Sequence, residues 1–199
     1  MRYQRLFPTV LNMLPIALVL LTASCTSLHV GDLLFHVVDN DNAITSVTPD
    51  RIDHVAICIS RDSVIEAIPS EGVTTTPLHQ LLQRDGGYYV VGRVKHANIR
   101  HSVNNARTYQ GLPYDSLYLP ATDAIYCSEL VLLSYVDRHG NRLLHSVPMT
   151  FRDSTNQIPL FWQQLYERHS MPVPEGEPGS NPSELAHRKE IKKRKSIKP

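Results

Sequence analysis

Cysteine hydrolases are built from a cysteine, a histidine and a polar orienting residue, and this sequence carries candidates for all three. Cys127 stands at the start of the stretch 126–136, whose apolar residues recur at the spacing of an amphipathic helix. A cysteine at a helix start lies beside unpaired backbone N–H groups and the positive end of the helix dipole, which favour the thiolate and can stabilise an oxyanion. The alternative is an inert buried side chain, since free cysteine is among the most buried residue types.

A base for this nucleophile is predicted at His54, with Glu66 as its orienting partner. His54 lies in the predicted strand 52–59 and Glu66 in the predicted strand 64–68, each between apolar neighbours. An unpaired imidazole or carboxylate would be costly in such surroundings, so the two side chains are expected to meet. In one interpretation Glu66 orients His54 as the base for Cys127. In the other, the two residues form a buried pair that only satisfies their own hydrogen-bonding groups.

The register of the hairpin between these strands decides whether the pair can form. A two-residue turn at Arg61-Asp62 would send Glu66 to the face away from His54. A three-residue loop, 60–62, sets Glu66 opposite Ala56 and diagonal to His54, within reach of long side chains. We therefore predict an odd-numbered loop, or a bulge with the same effect.

The remaining pattern predicts a mixed α+β domain. Strands are expected at 31–38 and 88–94, with a polar loop at 39–50 between the first two strands. A helix is expected to start at Thr76-Pro77, with the hydroxyl as cap, and to end at 85–87. A further helix is expected at 102–110, and 160–166 is a last helix or strand.

Composition excludes several classes of function. The 199 residues have a net charge of +1, with 42% hydrophobic and 20% charged residues, which gives no reason to expect a nucleic-acid partner. Three cysteines cannot form a disulfide framework, and their spacing fits no zinc pattern. The ten histidines show no metal-binding spacing either, so neither a metal nor another cofactor is predicted.

Both termini differ in composition from the middle of the chain. Residues 1–25 have a basic start and a short apolar run, typical of an export signal. The end of this run, Thr22-Ala23-Ser24-Cys25, resembles the lipobox of bacterial lipoproteins, which implies lipidation at Cys25 and a membrane anchor in the cell envelope. The alternative is an ordinary secretory signal. A domain is predicted at 26–170, followed by a Pro/Gly-rich segment and basic tail at 171–199 without regular structure.

Two motifs carry a family resemblance. Gly111-Leu112-Pro113-Tyr114, followed by the stretch 126–131 around Cys127, resembles the signature of NlpC-type cell-wall peptidases, which are papain-like cysteine hydrolases. In most of them the cysteine precedes the histidine. Here His54 and Glu66 come first, and with Gly31-Asp32 opening the domain this order resembles the YiiX/YebB-like permuted branch of that superfamily.

The resemblance implies a permuted papain-like fold with the cysteine helix packed on an antiparallel sheet. It implies Cys127 as nucleophile, His54 as base and Glu66 as orienting residue. Tyr114, Tyr126 and Asp32 lie in the motifs that carry the resemblance and are the expected substrate-binding residues.

Three functions remain open from the sequence. The first is cleavage of an amide bond in a peptide or amino-acid conjugate, with cell-wall stem peptides as the leading candidate, through a thioester intermediate. The second is a lipid acyl hydrolase or acyltransferase using the same residues, since the permuted branch also resembles the lecithin-retinol acyltransferase group. The third is a non-catalytic binding module that keeps the cleft.

Overall fold

A six-stranded antiparallel sheet forms the centre of the fold, in the order β4-β3-β2-β1-β5-β8. The computed structural model describes residues 28–84, 86–120 and 123–197. The strands are β1 (Asp32–Val37), β2 (Ile52–Cys58), β3 (Ser63–Ile68), β4 (Gly72–Pro77), β5 (Tyr88–Val94) and β8 (Ile191–Ile197), and β6 (Val147–Pro148) pairs with β7 (Pro178–Gly179) in a separate ribbon.

Helices cover both faces of this sheet, which confirms the predicted α+β class. They are α1 (Leu78–Leu82), α2 (Ile99–Thr108), α3 (Cys127–Ser134), α4 (Leu160–Arg168) and α5 (Pro182–His187). The α3 helix packs on β2 and β3, as expected for the cysteine helix. Among the described residues, no helix has the length and apolar character needed to cross a bilayer.

The alternation of side chains along β2 assigns one face to each layer of helices. Val55 and Ile57 are buried in the same core cluster as Leu130 of α3. Ala56, which points the other way, is buried with Leu81 of α1 in a second cluster. The sheet is therefore apolar on both faces, and polar side chains within it need specific partners.

The hairpin between β2 and β3 has the predicted odd register. Ile57 pairs with Ile65 and Cys58 with Val64, and the Ile59 N–H donates to the Ser63 carbonyl at 3.0 Å. The loop is thus the three residues 60–62. Continued by one residue, the register places Glu66 opposite Ala56 and diagonal to His54.

The strand β4 was not predicted, and it changes the role of Thr76. Residues 72–77 pair with β3, so Thr76 lies in a strand and is not a helix cap. Pro77 is the N-cap of α1, and no side chain caps that helix. The β3–β4 turn needs Gly72, because its φ is +71° and an added Cβ would lie 2.1 Å from the Leu112 carbonyl oxygen.

The prediction of irregular structure throughout 171–199 is wrong. Asn181 caps α5 by accepting a hydrogen bond from the Glu184 N–H at 2.7 Å. β8 then pairs with β5 as the last strand of the central sheet, and Ile191 is only 6% exposed. The predicted basic tail therefore contains, at Ile191–Ile197, an edge strand of the domain. The predicted signal at 1–25, including Cys25, lies outside the described residues.

Candidate active site

The α3 helix begins at Cys127, as the sequence predicts. Tyr126 is the N-cap residue in an extended conformation, with ψ of 168°. Glu129, three residues later, is the acidic residue of the first turn, at the position of the carboxylate in a capping box. The Cys127 side chain is 4% exposed at the end of the helix where the first N–H groups lack intrahelical partners. An oxyanion formed beside Cys127 can accept hydrogen bonds from them.

His54 contacts both predicted partners. Its Nε2 lies 2.6 Å from Oε2 of Glu66, and the side chain of Cys127 lies close enough to the ring to raise the pKa of His54. Because an imidazole has two nitrogens, Nδ1 is left for Cys127. Burial lowers the pKa of His54, but the hydrogen bonds and charges of Cys127 and Glu66 outweigh it and raise the pKa to about 10. At neutral pH His54 is therefore an imidazolium beside the thiol.

Glu66 is fully buried and accepts four hydrogen bonds. Besides His54, the donors are Nη1 of Arg84 at 2.7 Å, Nη2 of Arg84 at 2.5 Å and the Thr76 hydroxyl at 2.5 Å. Burial alone would raise the pKa of Glu66, yet the hydrogen bonds from His54 and Arg84 hold it at about 2. The carboxylate therefore stays charged and orients the imidazolium.

An aromatic cleft opens beside Cys127. Tyr118 contacts Tyr126 and Trp162, with ring centroids 5.2 and 5.6 Å apart, and Phe151 packs edge-on against Trp162 at 5.1 Å. Apart from Asp53, the cleft carries no Asp, Glu, Lys or Arg side chain among the described residues. The residues that line it are Ile44, Val47, Thr48, Asp53, Tyr114, Tyr118, Tyr126, Cys127, Ser128, Met149, Thr150, Phe151, Trp162, Ser180, Asn181 and Pro182.

Two of the three predicted substrate-binding residues line this cleft. Burial and the nearby Cys127 side chain raise the pKa of Tyr114. The Tyr114 hydroxyl therefore lies close to the candidate nucleophile. This hydroxyl lies 3.3 Å from that of Tyr118. The Tyr126 hydroxyl is held by the Ser180 N–H at 3.1 Å, so it fixes the wall of the cleft.

The third, Asp32, is not in the cleft. Its side chain is fully buried and is bound by Arg93 through Nε at 2.6 Å and Nη2 at 2.8 Å. On β1, Asp32 lies four residues, or about 13 Å, from His36. His36 is the residue that pairs with His54. The predicted substrate role of Asp32 is therefore replaced by a structural ion pair.

The other described cysteine, Cys58, is unsuited to catalysis. Burial, with a contribution from Asp32, raises the pKa of its thiol to about 11. The Cys58 thiol donates a hydrogen bond to the Ser60 carbonyl at 2.9 Å. Cys58 lies on the same strand as His54, four residues further along.

Sequence reasoning missed Arg84, Thr76, Tyr118 and Trp162. The first two were placed at the ends of a predicted helix, and nothing local links them to Glu66. For Thr76 a signal was present: the run Val73-Thr74-Thr75-Thr76 is rich in β-branched residues, which favours a strand. The aromatic residues come together only because the loop 113–120 packs against the start of α4.

Comparison with known proteins agrees with this geometry. The family model described as permuted papain-like amidase enzyme, YaeF/YiiX, C92 family matches residues 27–193. The uncharacterized protein YiiX of Escherichia coli K12 is 28% identical over 154 residues, which cover 72% of this chain and 74% of that protein.

A solved structure shares the fold. The crystal structure of YiiX from Escherichia coli O157:H7, described as a metalloprotein, matches with a TM-score of 0.67 and 24% identity, covering 87% of this chain and 99% of that one. In residues 28–84, 86–120 and 123–197 of the present chain, no three His, Cys, Asp or Glu side chains form a group able to hold a metal ion. The family match spans strands β1 to β5, the cysteine helix and the first residues of β8, and this chain belongs to the permuted papain-like amidases of the YaeF/YiiX (C92) family.

Proposed function

We propose that this protein hydrolyses an amide bond in a peptide or amino-acid conjugate of the cell envelope. One observation carries the proposal: Cys127 begins a helix and lies beside His54, whose Nε2 is held by a buried carboxylate. This is the arrangement of nucleophile, base and orienting group that acyl transfer requires.

The geometry supports a two-step reaction. The Cys127 thiolate attacks the carbonyl carbon, and the resulting oxyanion accepts N–H bonds from the first turn of α3. The C–N bond breaks as the His54 imidazolium donates its proton to the leaving amine, leaving a thioester. His54, now neutral, removes a proton from water, whose oxygen attacks the thioester. The C–S bond breaks, releasing the carboxylic acid and restoring the thiolate and the imidazolium.

The cell-envelope substrate is supported by the sequence of residues 1–25 and by the NlpC-like motifs. Under this proposal the leader directs export and Cys25 carries a lipid anchor. Metabolic labelling with a fatty-acid analogue tests the anchor. We expect the wild type to be tagged and Cys25→Ala to be untagged, and equal labelling of both would contradict it.

The composition of the cleft favours a second candidate substrate, an apolar acyl group. Its walls are aromatic and aliphatic, and no lysine or arginine side chain in the described part of the chain lines them to bind the carboxylates of a stem peptide. An acyl chain would bury its methylene groups there, each contributing about 0.8 kcal/mol. The same Cys127 chemistry would then act on an acyl amide or ester.

Turnover assays with the purified full-length protein separate these functions. Muropeptides, N-acyl amino acids and short-chain acyl esters would be incubated with the wild type and with Cys127→Ala. Release of amino groups from muropeptides by the wild type alone supports the first function. Cleavage of acyl substrates alone supports the second. Absence of both, together with an unreactive Cys127, would overturn the catalytic proposal in favour of a binding module.

A further inference from the structure

Arg84 contacts Glu66 from outside the cleft beside Cys127. It follows α1 and is not among the residues that line the cleft, so it does not contact a substrate bound there. Its Nη1 and Nη2 donate to the two different oxygens of Glu66. This forked contact fixes the carboxylate in both position and plane, which one point charge cannot do.

The Glu66 carboxylate is saturated as a result. Oε1 accepts from Arg84 and Thr76, and Oε2 accepts from Arg84 and His54. Within the site, formal charges then alternate along a line of contacts: positive at Arg84, negative at Glu66 and positive at His54. Deleting Arg84 would remove the guanidinium from a buried carboxylate and leave the His54 imidazolium as its remaining cationic partner.

We propose that Arg84 is a positioning residue: its guanidinium holds both oxygens of Glu66 and keeps the carboxylate charged and directed at His54. Glu66 then orients His54 without removing its proton. Other ionisable groups near this pair are Tyr89 on β5, which donates its hydroxyl to the Leu81 carbonyl, and Glu71, whose charge acts on Arg84. Neither replaces the two-pronged contact, and neither carries a positive charge.

The test measures the ionisation of Glu66 directly. In the full-length protein labelled with ¹³C at glutamate side-chain carboxyls, the Glu66 signal is assigned by its loss in Glu66→Gln. The wild-type signal is expected to titrate only near pH 2 and to be that of a carboxylate from about pH 4 upward. In Arg84→Met the signal is expected to titrate well above that value, because the desolvation of a buried carboxylate is no longer offset by the guanidinium.

The same variant is expected to change the pH profile of turnover of p-nitrophenyl acetate, a readout that rests on the proposed function. Its acid-side midpoint should move to higher pH, with activity falling about tenfold for each pH unit below the new midpoint. Added guanidinium ion should restore part of the activity. Arg84→Lys keeps the charge but loses the fork, so Glu66 should remain ionised while turnover recovers only in part.

Arg93→Met is the matched control, since Arg93 makes an equivalent forked contact to the buried Asp32 at the far end of the sheet. It should lower thermal stability without moving either midpoint or responding to guanidinium. The proposal is overturned if Arg84→Met leaves the Glu66 titration unchanged, or if Arg84→Lys restores full turnover. A wild-type protein without esterase activity whose Glu66 titrates as expected would overturn the proposed function and leave the role of Arg84 standing.

Discussion

His54 and Glu66 lie on different strands, yet Nε2 of one and Oε2 of the other are 2.6 Å apart. The contact exists because the β2–β3 loop has three residues, which puts both side chains on one face of the hairpin. A two-residue turn would have separated them. The pH dependence and the thiol reactivity of this protein both follow from this contact.

The two described cysteines are predicted to differ in reactivity. Iodoacetamide at neutral pH should alkylate Cys127 first, because it lies at a helix start beside an imidazolium. With a pKa of about 11, Cys58 is a thiolate in about one molecule in ten thousand at pH 7. Peptide mapping by mass spectrometry measures the order, and Cys58→Ser is the control. Preferential labelling of Cys58 would contradict the assignment of the nucleophile.

Substitution of the partners of Cys127 should slow its alkylation to different extents. His54→Ala removes the cation beside the thiol and should slow labelling most. Glu66→Ala should be milder, because it misorients the base without deleting it. The rates are measured at fixed pH with folding checked by circular dichroism. An equal effect of the two substitutions would show that Glu66 does more than orient the ring.

Folding stability should depend on pH in two windows. The folded-state pKa of Glu66 is about 2 against an ordinary 4.5, so its contribution is complete above pH 4.5 and is lost as pH falls through about 2. The pKa of His54 is about 10 against an ordinary 6.5, so its contribution is complete below pH 6.5 and is lost as pH rises through about 10.

Thermal melts from pH 2 to 10.5 give, across both windows, the difference in melting temperature between the wild type and each variant. The Glu66→Gln difference should shrink on the acid side, and the His54→Gln difference should shrink on the alkaline side. A difference for His54→Gln that grows as pH rises from 7 to 10 would have the wrong sign for a raised histidine pKa.

The Tyr126 hydroxyl is predicted to matter for stability. In Tyr126→Phe the buried Ser180 N–H loses its acceptor, which should cost about 1–3 kcal/mol of unfolding free energy. Denaturant titration measures the change. Tyr114→Phe is the matched control, because its hydroxyl has the Tyr118 hydroxyl as partner and leaves no backbone group unpaired. A larger loss in the control would contradict the role given to Tyr126.

Removal of residues 191–199 should destabilise the domain. β5 would lose one of its two neighbours in the sheet, and the buried side chain of Ile191, which alone contributes about 2 kcal/mol, would be removed. Removal of 198–199 only is the control, since it leaves β8 complete. An unchanged melting temperature in the longer truncation would mean that the domain ends before β8.

The sequence by itself determined the elements with strong local signals. The helix at Cys127 and the strand 88–94 each depend on residues close together in the chain, where periodicity acts directly. The Cys127, His54 and Glu66 site was predicted from residue types and the family resemblance, and the odd hairpin register was then predicted because this site requires it.

Only the tertiary structure decided which distant residues complete the site. Arg84 reaches Glu66 because α1 folds back against β3, and β4 brings Thr76 to the same carboxylate, although neither contact has a local sequence signal. Asp32 looked like a site residue by its motif but is taken by Arg93 from β5. The basic tail was predicted to lack regular structure, yet the backbone of 191–197 completes the sheet edge while its lysines stay exposed, because a strand needs only its main chain to pair. Long-range pairing of this kind depends on the packing of the whole domain, so it cannot be predicted from local patterns along the chain.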